Sequence, residues 1–338
     1  LSYYSVIAGW TLHYLIQSFS GFSGSAEEIK SIFTDLHGDA TLNILWHTVM
    51  MIIIVFIISR GVQKGIEKVS KILMPLLGII LIILTAYSLS TPGAGKAVEF
   101  MFYPDFSAIN SSTMLKALGT SFFTLSLGMG AMITYGSYLS KEIKIVKSSL
   151  QIATIDTVIA LLAGLMIFPI VFSNNVEPSA GPSLIFQTLP VLFSKMPGGT
   201  IFAIAFFSLL IFAAITSAIS LLEVVVAFLV DEYKIRRKIA TVVTGGFIWG
   251  IGLLSAVSSI KIGGECCLDL FDGITTHYLM PLGGLMTMLV FGWVADEKMK
   301  RSQFFDSNPI SYAIFKVVTK IVTPVLLVFV VLNETGIF

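Results

Sequence analysis

The chain has 338 residues, 55% of them apolar and only 12% charged, with a mean hydropathy of +0.90; soluble domains carry about twice that charge fraction, so a soluble globular protein is excluded. A net charge of +1 with no extended basic block leaves nucleic-acid binding without an electrostatic footprint. The two cysteines, Cys266 and Cys267, are neighbours and supply neither a disulfide framework nor a metal cluster.

Apolar runs at 50–58, 72–87, 158–172, 201–219 and 325–332 are each extendable to the 20 or so residues that cross a bilayer. No stretch alternates with period two over the length of a barrel strand, so the spans are helices and the fold class is an all-α membrane protein. Apolar runs set against charge clusters give nine expected spans, at 1–21, 42–59, 72–90, 114–139, 150–172, 200–230, 239–258, 272–294 and 312–332. Leu1 rather than Met opens the chain and no charged segment precedes the first apolar stretch, so the sequence reads as a fragment with no visible signal peptide.

Alternate connections hold Arg60, Lys64, Lys68 and Lys71; Lys141, Lys144 and Lys147; Lys234, Arg236, Arg237 and Lys238; and Lys298, Lys300 and Arg301. The other connections hold only Lys30, Lys96, Lys116, Lys195 and Lys261. The positive-inside bias therefore turns the first set to the cytoplasm and the carboxyl end, near Asn333 and Glu334, to the outside of the cell membrane. Lys316 and Lys320 fall within the last span, near enough to its cytoplasmic end to snorkel and anchor it. The external stretch 173–199 sets Pro178, Pro182, Pro190 and Pro197 around an apolar cluster, Leu184 to Phe193; a loop that apolar is expected to pack on the protein, as a lid does.

Two spans carry polar groups at mid-depth. In the first, Ser121, Thr124, Ser126, Gly128 and Gly130 interrupt an apolar run, and each glycine costs about 1 kcal/mol relative to Ala in a helix interior. Close helix packing is one reading; a discontinuous helix whose freed backbone groups line a cavity is the other. In the second, the Ala213 carbonyl and the Thr216 and Ser217 hydroxyls share one helix face, since positions i, i+3 and i+4 coincide. Such hydroxyls either bond back to the preceding turn or form part of a site for a hard monovalent cation. Asp156 lies roughly 9 Å inside a span, where a carboxylate costs several kcal/mol unless paired, protonated or beside an ion. Glu223 is a proton carrier or a helix-bracing acid.

The run from Phe122 to Tyr138, Phe-Phe-Thr-Leu-Ser-Leu-Gly-Met-Gly-Ala-Met-Ile-Thr-Tyr-Gly-Ser-Tyr, resembles the sixth helix of the neurotransmitter:sodium symporter family, above all its bacterial amino-acid transporters. Tyr3-Tyr4 through Gly9-Trp10-Thr11-Leu12 resembles the third helix, Gly181-Pro182-Ser183-Leu184 to Met196-Pro197 the fourth external loop, and Ala213 to Asp231 the eighth helix. The resemblance implies a LeuT-like inverted-repeat helical bundle, a fold with discontinuous helices at its binding site. The nine spans then match helices three to eleven. Residues 1–105 would be the remainder of the first inverted repeat, 106–296 the second, and 297–338 a peripheral helix; helices one and two would precede Leu1, leaving the polypeptide as given unable to transport.

By position, the resemblance makes Thr124 and Asp156 ligands of a first sodium ion, and Ala213, Thr216 and Ser217 ligands of a second. Many relatives have Asn where Asp156 stands, so its carboxylate would supply the charge that chloride supplies elsewhere. Tyr4 would bind the substrate carboxylate, Phe123 would lie over the substrate as an aromatic gate, and the Phe123 and Thr124 carbonyls with the Ser126 hydroxyl would receive its ammonium. Met129, Ser217 and Leu221 would line the side-chain pocket, with Tyr138 and Asp231 at an inner gate and Asp272 at an outer one. Expected partners are an amino acid, hydrophobic or aromatic given the adaptable Met129, sodium as coupling ion, and the bilayer; no cofactor is expected and a homo-oligomer stays open. A proton-coupled transporter of the same fold, drawing on Glu223 and Asp156, is the nearest alternative. An intramembrane hydrolase finds no support in the four histidines or in any Gly-x-Ser-x-Gly pattern.

Overall fold

The computed structural model describes the chain apart from residues 141, 178–180, 259, 304–308 and 335–338, so Lys141 and Pro178 lie outside the described residues. The helices in chain order are α1 (Tyr4–Ser18), α2 (Ala26–Gly38), α3 (Ala40–Ser59), α4 (Val62–Leu89), α5 (Ala94–Phe102), α6 (Ser111–Thr124), α7 (Ala131–Ser137), α8 (Ile145–Ser173), α9 (Leu184–Lys195), α10 (Gly199–Asp231), α11 (Arg237–Ala256), α12 (Cys267–Val294), α13 (Glu297–Gln303) and α14 (Tyr312–Leu332). A two-stranded antiparallel hairpin, β1 (Lys261–Ile262) and β2 (Glu265–Cys266), turns on Gly263 and Gly264, whose φ values of +66° and +95° suit a two-glycine turn.

Among the described residues seven helices are long and apolar enough to cross a membrane: α3, α4, α8, α10, α11, α12 and α14. Nine spans were expected, and the two that differ have physical reasons. The stretch 1–21 yields α1, whose 15 residues span about 22 Å at 1.5 Å per residue. The stretch 114–139 is divided into α6 and α7 by a non-helical segment at 125–130.

The chain forms two compact units. One comprises Leu1–Tyr103 and Ala160–Leu270, the other Pro104–Ile159 and Phe271–Phe338. In the first, α10 is central and packs against α1, α3, α4, α9 and α11. Phe206, Phe207, Ala218, Leu222 and Val226 of α10 are buried. Gly9 of α1 lies so close to α3 that a Cβ there would stand 2.9 Å from the Trp46 carbonyl carbon.

The described apolar residues of the stretch 173–199 pack as its composition demands. Phe186, Leu189, Leu192 and Phe193 of α9 are buried, and the Phe186 ring stacks on Phe33 of α2 at 5.5 Å and meets Trp10 edge-on at 5.8 Å. The first turn of α9 is π-helical just before Pro190, which has no N–H to extend the ladder. Ser25 and Glu28 close a capping box that starts α2. Glu28 thereby accepts bonds from Ser25 that hold its carboxyl below the usual range.

In the second unit the buried centre is Phe122, Met280 and Leu327, with Leu118, Leu127, Met129, Leu285 and Met288 packed around it. Both α12 and α14 contain π-helical turns, at Ile274–Leu279, Val290–Val294 and Val318–Val322. The two lysines within the last span both find protein partners. Lys316 Nζ reaches Glu297 Oε1 at 2.5 Å, and Lys320 lies over the Trp293 ring at 5.6 Å. The bond from Lys316 lowers the Glu297 pKa.

Candidate functional site

The segment between α6 and α7 is the main irregularity of the second unit. After Thr124 the backbone leaves the helix, and Ser126, Gly128 and Gly130 take φ values of +53°, +78° and +80°. Left-handed backbone at three positions ends the i to i−4 ladder, so carbonyls and amides at mid-span lose their helical partners. The helix is discontinuous here, and the close packing that was the other reading is present as well.

Packing holds that break in place. A Cβ on Gly128 would come within 2.1 Å of the Met280 carbonyl oxygen, one on Gly283 within 2.2 Å of the Gly128 carbonyl oxygen, and one on Gly284 within 2.3 Å of the Phe122 ring. Backbone of the break therefore touches backbone of α12 at Gly128 and Gly283, and Gly284 leaves room for the Phe122 ring. The roles of Gly283 and Gly284 were missed in the sequence; the pair itself, in a helix with polar residues at its start, was the available signal.

The candidate residues of this unit are placed as follows. Thr124 is the last residue of α6, exposed, with its hydroxyl 3.4 Å from the Ser121 carbonyl. Phe123 beside it is also exposed, Ser126 is half-buried in the break, and Met129 packs on the Phe122 centre. Asp156 is half-buried within α8, and among the described residues it makes no hydrogen bond or ion pair. Tyr138 is exposed just past α7, its ring 6.5 Å from that of Tyr135. Asp272 is half-buried, 3.5 Å from the Thr276 hydroxyl, and lies where α12 turns π-helical, a distortion frequent at functional positions.

In the other unit α10 runs unbroken for 33 residues, carrying its polar mid-span residues on a continuous ladder. The Thr216 hydroxyl turns back on its own helix, 2.9 Å from the Ala213 carbonyl and 3.1 Å from that of Phe212. This satisfies the hydroxyl without breaking the ladder, and it also sets the Ala213 and Thr216 oxygens side by side. Ser217, the next residue, is exposed and lies near the Tyr4 side chain of α1. Leu221 follows one turn later on the same face, half-buried, and Asp231 ends the helix, exposed.

Glu223 is fully buried and paired with Arg237 of α11. The Arg237 guanidinium pairs with the Glu223 carboxylate through Nη2 and donates from Nε to the Ile58 carbonyl at 3.0 Å. One side chain thus ties α11 to α10 and to the carboxyl end of α3, whose terminal carbonyls attract cations. Glu223 braces helices.

The profile of the sodium:neurotransmitter symporter family matches residues 22–337. The chain belongs to that family. It is 35% identical over 347 residues to an uncharacterized sodium-dependent transporter of Bacillus subtilis, YhdH, covering 100% of this chain and 77% of that one. An uncharacterized sodium-dependent transporter of Haemophilus influenzae is 36% identical over 313 residues, covering 89% and 68%. The crystal structure of MhsT in complex with L-phenylalanine superposes with a TM-score of 0.89 at 38% identity, covering 98% of this chain and 78% of that one. This symporter chain is therefore a multi-pass membrane protein with the LeuT fold, a sodium-dependent transporter and not an enzyme.

Proposed function

We propose that the protein couples inward movement of sodium to uptake of an amino acid with a large apolar or aromatic side chain, by alternating access. The break at 125–130 carries the reading, because backbone groups released at mid-span are what a zwitterion and a desolvated cation need. The solved relative holds L-phenylalanine, and Met129 offers a side chain that adapts to an aromatic ring.

Thr124 and Asp156 serve one sodium ion in this reading; the Ala213 carbonyl with the Thr216 and Ser217 hydroxyls serves another. The adjacent Ala213 and Thr216 oxygens, 2.9 Å apart, support the second assignment. Tyr4 takes the substrate carboxylate, and its nearness to Ser217 supports its place beside a pocket residue. Phe123, Thr124 and Ser126 attend the ammonium end, Met129, Ser217 and Leu221 the side chain. Tyr138, Asp231 and Asp272 act as gates. The division into repeats at 1–105, 106–296 and 297–338, and a carboxyl terminus outside the cell, belong to the same proposal. Each sodium carried inward gains about 2.3 kcal/mol per 100 mV of membrane potential, enough for two ions to drive steep accumulation.

Asp156 brings its own negative charge, so transport runs without chloride. The test is uptake of radiolabelled L-phenylalanine by the full-length protein in proteoliposomes under an imposed sodium gradient. Uptake is expected to need sodium, to ignore replacement of chloride by gluconate, and to fall at least about tenfold in Asp156→Asn without chloride, with partial recovery when chloride returns. Full-rate uptake without sodium, driven by a proton gradient, overturns sodium coupling; wild-type uptake by Asp156→Asn without chloride overturns the role of Asp156.

A further inference from the structure

We propose that the cytoplasmic end of the face made by α3, α4 and α11 is a binding site for a glycerophospholipid with an anionic headgroup. Two adjoining features of the first unit carry the assignment. One is an open cavity of about 1230 Å³ at the turn from α3 into α4, lined by Arg60, Lys64, Lys68, Lys71 and Lys238, with Glu67 the acid among them. Lys71 pairs with Glu67 at 2.6 Å and neutralises it. Four cations remain to set the potential of the cavity, and the Arg60 guanidinium lies on the Phe56 ring at 4.3 Å, at its rim.

The other feature is an apolar groove of about 390 Å³. Phe56 and Ser59 line both the cavity and the groove, so the two are continuous. The groove is walled by Ile52 and Val55 of α3 and by Val242 and Trp249 of α11, with Gly246 on its α11 side. Ile52 and Val242 are exposed, and a Cβ built on Gly246 meets nothing within 4 Å.

A basic rim serves membrane topology wherever it falls, and topology requires no groove. An anion-attracting cavity that opens into an apolar trough on spanning helices has the polarity of a phospholipid, phosphate at one end and acyl chain along the other. The same basic set that orients the chain places this cavity at the inner leaflet, whose surface is negative. A soluble phosphate fits the cavity alone; the trough selects the lipid.

Native mass spectrometry of the detergent-purified full-length protein, titrated with phosphatidylglycerol or phosphatidylcholine, tests this. Phosphatidylglycerol is expected to be retained at least about tenfold better, and Lys64→Gln/Lys68→Gln/Lys238→Gln to remove that preference. The matching triple Lys→Arg variant keeps charge and topology and is expected to keep the preference, which separates lost charge from misinsertion. Gly246→Phe leaves every charge in place but fills the trough, and is expected to weaken retention of both lipids several-fold. Equal retention of the two lipids overturns the proposal. So does unchanged retention by Gly246→Phe, or complete displacement of phosphatidylglycerol by excess inorganic phosphate.

Discussion

Two helices carry hydroxyl and small residues at mid-membrane, and they resolve the same difficulty in opposite ways. Between α6 and α7 the backbone gives way for six residues, 125–130, with three positions at positive φ. In α10 the ladder continues for 33 residues. There three polar groups find partners close at hand: Thr216 bonds to the Phe212 and Ala213 carbonyls, Ser220 to the Thr216 carbonyl, and Glu223 to Arg237. A hydroxyl alone does not open a membrane helix, because it can donate its hydrogen bond to a carbonyl of the turn before it. Glycine at positive φ does, when a neighbouring backbone comes close enough to exclude any side chain.

The comparison is broken most severely at Gly128. Gly128→Val places a β-branched residue at φ +78° with its Cβ 2.1 Å from the Met280 carbonyl oxygen, and backbone on both sides gives little room to yield. The expected loss is about 3 kcal/mol or more, seen as a large drop in melting temperature in detergent together with loss of uptake. A variant that melts and transports like the parent would show that the break does not depend on this approach.

Next in size is the clamp that keeps α10 in register with its neighbours. Glu223→Ala leaves Arg237 facing the Ile58 carbonyl without its carboxylate, and removal of one partner of a buried pair costs about 3 kcal/mol. Arg237→Ala is expected to cost as much, and the double variant clearly less than the sum, measured as a double-mutant cycle on thermal unfolding. Additive losses would mean that the two side chains act independently. Sodium dependence is expected to persist in each single variant, because the pair braces helices and carries no ion.

Much of this architecture can be read from residues alone, and the exceptions follow a pattern. The apolar runs locate seven spanning helices, the glycines with their hydroxyl neighbours locate the break, and the apolar 173–199 stretch foretells its packing against α2 and α10. The continuity of α10 is not legible, since Ala-Ala-Ile-Thr-Ser-Ala is compatible with a hydroxyl turned inward to its helix or outward to an ion. Nor is the partner of Gly128, which is a glycine pair far along the chain whose significance exists only once α12 is beside it. Glu223 poses the same problem: its depth marks it as unusual, but its ion pair with Arg237 of the next helix exists only in the folded chain. Local chemistry names the unusual residues, and tertiary pairing assigns their use.

The smallest expected change in stability is the one that separates the two helices most sharply. Thr216→Val keeps the volume of the side chain and removes the hydroxyl that shares itself between the Phe212 and Ala213 carbonyls. Those carbonyls belong to the continuous helix, so their loss of a second partner should move stability by less than about 1 kcal/mol in either direction. The second sodium ion in the proposed reading loses one of its oxygen ligands, and its affinity should fall about tenfold, equivalent to about 1.4 kcal/mol. Sodium titrations of L-phenylalanine uptake would show a rise in the half-saturating sodium concentration at an unchanged melting temperature. A loss of stability with unaltered sodium dependence points the other way: the hydroxyl then serves α10 alone, and the proximity of the Ala213 and Thr216 oxygens is a property of the helix rather than of an ion site.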